Sequence, residues 1–208
     1  SDLTGESSIR WCTPAIRTDH SPLIVLLQVR KKGSSQYSEN KVLQTDDISL
    51  RKVEPQDLPY LYQWENDSLS WADSDTHNPL SQKDLRDYIE SSTGDIYKDG
   101  QLRLIIEAKQ GLTLGCIDLF DLDIHNRKAA VGMYLAKDAR GKGVGKTAVR
   151  LLEEYAFRFL NLRMLYIFVA ENNIACIRLF SSLGWKQTAH LQEWLNTGDV
   201  IVLQRMRP

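Results

Sequence analysis

The spacing of apolar residues changes character near residue 47. Residues 1 to 40 carry turn formers (Pro14, Ser21, Pro22, Gly33, Ser34, Ser35) around one short apolar run, Leu23 to Leu27, with no helical period. They read as an N-terminal extension of unassigned structure. From Asp47 the pattern becomes regular. Ile48, Leu50 and Val53 predict a strand, and Pro55 opens a helix carrying Leu58, Leu61, Tyr62 and Trp64, because a proline in the first turn removes no needed donor. Leu80 to Ile89 predicts a second helix, with Ser81 as N-cap and Asp84, three residues on, as its capping-box partner. Leu102 to Ala108, Thr113 to Leu122 and Ala129 to Leu135 are strand-length apolar runs, and they predict an antiparallel meander with a turn at Gly111.

Beyond Ala136 the period switches to three and four. Val144, Ala148, Leu151, Leu152, Tyr155, Ala156 and Phe159 fall on one helical stripe. Met164 to Val169 is an unbroken apolar strand, and Ile174, Ile177, Leu179, Phe180 and Leu183 mark another helix, stopped by Gly184. Val200 to Leu203 predicts a last strand, paired with Trp185 to Thr188. Alternating strands and helices around one sheet make a mixed α/β (α+β) domain over residues 41–208.

Composition narrows the class. Hydrophobic residues at 42% and charged residues at 25% suit a globular chain and exclude disorder throughout. Cys12, Cys116 and Cys176 are widely spaced, with no C-x-x-C, so neither a disulfide framework nor a zinc ribbon is indicated, and a reducing, cytoplasmic setting is expected. Leu23 to Leu27 is far short of the ~18 residues of a membrane span, and Arg30, Lys31 and Lys32 follow that run instead of preceding it as in a secretory signal. Neither a membrane association nor a targeting segment is expected. His20, His77 and His190 show no metal-ligand spacing, so surface or core roles and no metal are expected. The net charge of -1 conceals an uneven distribution: residues 54 to 99 hold 11 acidic and 3 basic side chains, whereas residues 100 to 208 hold 15 basic and 10 acidic. The first block favours cations or is a solvated acidic helix pair; the second favours anions.

The chemistry concentrates in Arg140-Gly-Lys-Gly-Val-Gly-Lys146. A P-loop, G-x-x-x-x-G-K-[ST], fails because Arg140 holds the place of its first glycine, and a G-x-G-x-x-G fingerprint fails at Lys146. A glycine turn feeding a helix start nonetheless suits a phosphate, since its amides point outward and the helix end is positive. The alternative is a basic turn and helix cap without a ligand.

In this context the loop resembles the acetyl-CoA loop of the GNAT superfamily of N-acetyltransferases, Q/R-x-x-G-x-G/A between a strand and a helix. The segments LRKVEPQDLPYLYQWEN, GCIDLFDLDIHNRKAAVGMYL and VAENNIACIRLFSSLGW extend the resemblance over roughly Ile48 to Met206, and they are similar to spermidine N-acetyltransferases and ribosomal-protein N-terminal acetyltransferases. The resemblance implies a mostly antiparallel central sheet flanked by helices, with splayed strands at the acetyl-CoA site. It implies that Met133, Tyr134, Leu135 and Ala136 hold the pantetheine arm and thioester, and that Arg140, Gly141, Lys142, Gly143, Val144, Gly145 and Lys146 hold the diphosphate. Asn173, which opens the next helix, and Phe180, further along it, complete the cofactor contacts. Acetyl-CoA is the implied co-substrate and assembly into a homodimer or larger homo-oligomer the implied quaternary state.

The implied reaction is attack of a neutral primary amine on the thioester, which requires loss of a proton from an ammonium whose pKa lies near ~10. The chain departs from the family at both usual proton carriers: Phe180 stands where relatives carry a tyrosine acid, and Ala130 where they carry a glutamate. Tyr134, Asp118, Asp121 and His125 are the nearby polar candidates, with a surface or turn role as the alternative for each. On the first two helices, Glu65, Asp67, Asp73, Asp75, Asp84 and Asp87 would make a negative wall toward a cationic amine such as a polyamine, an aminoglycoside or a basic peptide terminus. Trp64, Trp71 and Trp194 either line that cleft by cation–π contact or fill the core. A non-catalytic acyl-CoA-binding module remains the competing class, an NTPase is disfavoured at Arg140, and nucleic-acid binding lacks interleaved aromatics.

Overall fold

The computed structural model describes residues 42–67 and 78–208. The N-terminal extension, with Cys12 and His20, and the segment holding Trp71, Asp73, Asp75 and His77 lie outside the described residues. Among the described residues, seven strands form one sheet in the order β1-β2-β3-β4-β5-β7-β6. β1 (Ile48–Lys52), β2 (Leu102–Ala108), β3 (Thr113–Asp123) and β4 (Lys128–Leu135) form the expected antiparallel meander. β5 (Met164–Ala170) joins β4 in parallel, which requires a crossover, supplied by α4 (Val144–Glu154) and a π turn, Tyr155–Phe159. β6 (Lys186–Leu195) and β7 (Gly198–Met206) form a hairpin, and β7 rather than β6 pairs with β5.

The helices follow their local signals. A 3-10 turn at Pro55–Asp57 leads into α1 (Leu58–Glu65). In α2 (Gln82–Ser91) the Ser81 amide donates to Asp84 Oδ2 at 2.8 Å and the Asp84 amide to Ser81 Oγ at 3.1 Å, the reciprocal cap expected. α3 (Ile96–Asp99) is too short to show a period; Asp95 caps its start and Gly100, at φ 67°, ends it. α5 (Ile174–Ser182) is stopped by Gly184 at φ 84°. Among the described residues, no helix is long and apolar enough to cross a membrane.

Strand alternation divides the core. Leu104, Ile117, Val131, Met133, Leu135, Leu165 and Ile167 pack on one face with α4 and α5, whereas Ile105 and Cys116 pack on the other with Leu61, Trp64 and Leu85 of α1 and α2. The second face also buries charge. Arg103 of β2, 7% exposed, donates from Nη2 to Asp118 Oδ2 of β3 at 2.8 Å and from Nη1 to Glu65 Oε1 of α1 at 2.5 Å. Its Nε lies 3.0 Å from Asp118 Oδ1. One guanidinium thus ties the end of α1 to two strands. Burial pushes the Asp118 carboxyl up, against the Arg103 charge that pulls it down.

Two strains follow. Gly115 pairs with Leu135, and a Cβ there would lie 2.0 Å from the Tyr134 carbonyl oxygen. Gly115→Ala is therefore expected to lose about 2 kcal/mol or more, lowering the thermal midpoint by roughly 4–8 °C. Gly111→Ala, at a left-handed position (φ 81°) with open space around it, serves as the control for backbone strain without a clash and should lose less. Arg103→Leu leaves two buried carboxylates without their cation and is expected to lose about 3–5 kcal/mol near pH 7. The folded-state pKa of Asp118, already raised, rises further without Arg103, so the variant's deficit should shrink as pH falls from 7.5 to 5. Urea unfolding at the two pH values reads this; a deficit that grows in acid contradicts it.

Candidate functional site

β4 and β5 stay paired only from Lys128 to Ala130 against Met164 to Tyr166. Beyond that, Val131 to Leu135 and Ile167 to Ala170 run on with no register between them, β4 held by β3 and β5 by β7. The Ala136 amide donates to the Leu114 carbonyl at 2.8 Å, so antiparallel alternation turns the amides of Val131, Met133 and Leu135 toward the gap. The Met133 and Leu135 side chains are buried in the core, which leaves their main chain as the part open to a ligand.

The glycine loop begins one 3-10 turn, Lys137–Ala139, after β4 ends. Gly141 at φ 71° and Gly143 at φ 81° take left-handed conformations that favour glycine, and Gly143 is the N-cap of α4. None of the amides from Gly141 to Lys146 meets an acceptor among the described residues. A Cβ at Gly141 or Gly143 would meet nothing within 4 Å, so the turn itself is not packed against other residues there. Gly145 is different: its Cβ would lie 3.1 Å from Leu135 Cδ1 and 3.3 Å from Leu179 Cδ2, so a small residue there seats the helix start against β4. Unpaired amides at a positive helix end, with Lys142 exposed and Lys146 half-buried, fit a diphosphate. Val144 is half-buried in the same first turn, and Ala136 caps the preceding 3-10 turn. Arg140 is turned inward instead of outward: its Nε donates to the Leu135 carbonyl at 3.0 Å, satisfying a group on the gap side of β4.

Tyr134 lies on the opposite face of β4, half-buried, its ring stacked on Trp64 at 5.1 Å and its hydroxyl in contact with Arg140. Burial, then the Asp67 charge, raises its pKa above the ordinary tyrosine value, against the Arg140 charge. Trp64 itself is 6% exposed and belongs to the core, while Trp194 is 60% exposed and stacks on Phe168. Asn173 is a buried N-cap, its side chain accepting from the Cys176 amide at 3.1 Å. Asp121, at φ 47°, and His125 are exposed around the β3–β4 turn.

Three expectations need correction. Phe180 is fully buried, edge-on to Trp185 at 4.8 Å, so its ring is core and not an open cofactor surface. Asp118 is neither a surface residue nor an open base, because both its oxygens are engaged by Arg103 in a buried strand pair. Glu65 offers no charge to a cleft wall, since Arg103 neutralises it inside the protein. Other acids of residues 54–99 have local roles too: Asp57 pairs with Arg51, Asp84 caps α2, Asp87 pairs with Lys83, and Asp99 accepts from Thr93. Sequence reasoning does not single out Arg103; the signal for it is one charged residue inside the apolar run of β2 and another, Asp118, inside that of β3, which are register partners and pair.

Residues 47–186 match the acetyltransferase (GNAT) domain family. Spermidine N(1)-acetyltransferase of Vibrio cholerae serotype O1 is 24% identical over 148 residues, covering 70% of this chain and 83% of that protein. A putative ribosomal N-acetyltransferase of Bacillus subtilis (strain 168) is 43% identical over 63 residues, 30% of this chain and 34% of that protein. The crystal structure of the Vibrio cholerae spermidine N-acetyltransferase in complex with CoA and spermine shares the fold, with a TM-score of 0.68 at 24% identity, over 78% of this chain and 96% of that one. The splayed sheet, the glycine loop and a family match spanning most of the chain lead to one conclusion: the protein belongs to the GNAT family and is an acetyl-CoA-dependent N-acetyltransferase.

Proposed function

We propose that the enzyme acetylates a primary amine on a cationic small molecule of the polyamine class, in the cytoplasm, with residues 41–208 as the catalytic domain and a homodimer or larger homo-oligomer as its working form. The observation that carries the transfer site is the opening of β4 away from β5 beside the unpaired amides of Gly141 to Lys146. The acceptor class is supported by the similarity to a spermidine N(1)-acetyltransferase and by residues 66 to 80, which contain Asp67, Trp71, Asp73 and Asp75 and no lysine or arginine. Carboxylates and an indole face are suitable partners for an alkylammonium.

Acetyl-CoA, when bound, supplies the activated acetyl group and a thiolate leaving group. The amides of Gly141 to Lys146 and the charges of Lys142 and Lys146 would hold its diphosphate. The gap-facing amides of Met133 and Leu135 would donate to the carbonyl oxygen that gains charge. Phe180 carries no exchangeable proton and Ala130 no basic group, so Tyr134, kept protonated by burial beside the gap, is the group we assign as proton donor. Positioning in the gap supplies much of the remaining rate enhancement, and prior loss of the ammonium proton to water is compatible with slow turnover.

The second reading, a protein N-terminal or aminoglycoside acetyltransferase, draws on the local similarity to a putative ribosomal N-acetyltransferase; the buried Phe180 and Ala130 favour a non-catalytic acyl-CoA-binding module. CoA release measured with spermidine, an aminoglycoside and a ribosomal-protein N-terminal peptide separates them. Spermidine is expected to be the best acceptor, and Asp73→Asn/Asp75→Asn should raise its KM about tenfold with kcat little changed. Preference for the peptide or aminoglycoside overturns the acceptor class, and calorimetric CoA binding without turnover on any amine overturns the enzyme reading. Tyr134→Phe should lower kcat by about 10²-fold or more while leaving the KM for acetyl-CoA nearly unchanged. Because the raised pKa keeps the phenol protonated, its contribution should be undiminished from pH 7 to 9 and fall only as pH rises past the ordinary tyrosine range. Full activity in Tyr134→Phe would restrict this residue to packing on Trp64.

A further inference from the structure

The strand order assembles a side-chain cluster from residues whose spacing in the chain gives no hint of it. Glu171 follows β5, His190 lies in β6, and Asp199 is near the start of β7. Because β7 is inserted between β5 and β6, Ala170 pairs with Val200 and His190 with Ile201, and the Glu171 amide donates to the Asp199 carbonyl at 2.9 Å. Strand alternation then puts all three side chains on the same face. His190 Nε2 lies 2.8 Å from Asp199 Oδ2 and 3.6 Å from Glu171 Oε1, and one ligand atom of each residue falls within 4.8 Å of the others.

These separations suit a shared cation. Bonds of ~2.0–2.2 Å to a transition metal place adjacent donors roughly 3–3.5 Å apart, so side-chain rotation alone would admit an ion. The backbone around the cluster is held: Asp199 Oδ1 accepts from the Glu193 amide at 2.9 Å, at a register break in β6, while Oδ2 is directed to His190. Two carboxylates surround one imidazole. With the imidazole neutral, the group carries a double negative charge and one nitrogen and two oxygen donors, and its partly exposed side leaves room for water ligands.

We propose that Glu171, His190 and Asp199 form a binding site for a divalent transition-metal ion of the Zn²⁺ or Mn²⁺ class, built from side chains that the acetyl transfer does not use. A bound ion would tie the segment leading into Asn173, the N-cap of α5, to the β6–β7 hairpin. The imidazole donor disfavours Mg²⁺ and Ca²⁺, and the absence of sulfur disfavours Cu⁺.

The test titrates the full chain, stripped of metal by a chelator, with zinc chloride in a calorimeter. One ion per chain is expected, with affinity about tenfold or more weaker in both His190→Gln and Glu171→Gln. No saturable heat in the wild type, or affinity unchanged in the two variants, overturns the site. Circular dichroism checks that the variants are folded. Independently of them, manganese chloride added to the wild-type chain should broaden the imidazole C–H resonances of one histidine, and a through-bond assignment should identify it as His190. Broadening confined to the other histidines contradicts the proposal.

Discussion

The parallel pairing of β4 with β5 lasts only from Lys128 to Ala130, and the functional architecture depends on where it ends. A buried amide or carbonyl needs a partner, and a strand released on one side keeps its order only if the other side is secured. β4 keeps β3, and β5 keeps β7, so both can diverge without unravelling. What remains between them is a row of main-chain groups without a sheet partner, which is suited to an extended polar ligand. Arg140 occupies one of these groups, the Leu135 carbonyl, and so links the end of the strand to the glycine loop. Gly145 brings the start of α4 within contact of Leu135, and the unpaired amides of the loop consequently lie directly beyond the opening.

The other face of the sheet is organised by a charge instead of by a gap. Arg103 is surrounded by Glu65 and Asp118, each nearly inaccessible to water. Such a group is held by mutual compensation: separately, each ion would incur a desolvation penalty of several kcal/mol, whereas together they satisfy one another's hydrogen bonds. The same group orients α1, whose Trp64 then stacks on Tyr134. Tyr134 is therefore placed by two neighbours of different kinds, an indole and the Arg140 guanidinium, and its proton is retained by burial. Asp118 and Tyr134 share a face of the sheet but are held differently: Asp118 is committed to Arg103, while Tyr134 is stacked on Trp64 and contacts Arg140.

Much of the fold was legible in the chain. The β1–β4 meander, the Ser81 cap, the switch of period beyond Ala136 and the stop at Gly184 are local signals, and each corresponds to an element with boundaries within a few residues of expectation. The helix α3 was not legible, because four residues carry no period, nor was the part of β6 beyond Thr188, whose residues are mostly exposed and carry no apolar run. The loop was legible as a glycine turn feeding a helix start. The fate of individual charges was not. Net charge counts carboxylates without saying which are paired, and Glu65 and Asp57, read as part of an acidic block, are consumed by Arg103 and Arg51.

By itself the sequence determined the succession of strands and helices, the glycine loop at the start of α4 and the apolar faces, because these depend on residues a few positions apart and on the period of the backbone. Only the tertiary structure decided that β7 lies beside β5, that Arg103 bridges α1 to two strands, that Phe180 is sealed against Trp185, and that Glu171, His190 and Asp199 meet. Those arrangements depend on which distant segments pack together, and distance in space between residues far apart in the chain is set by the sheet order, which no local pattern encodes.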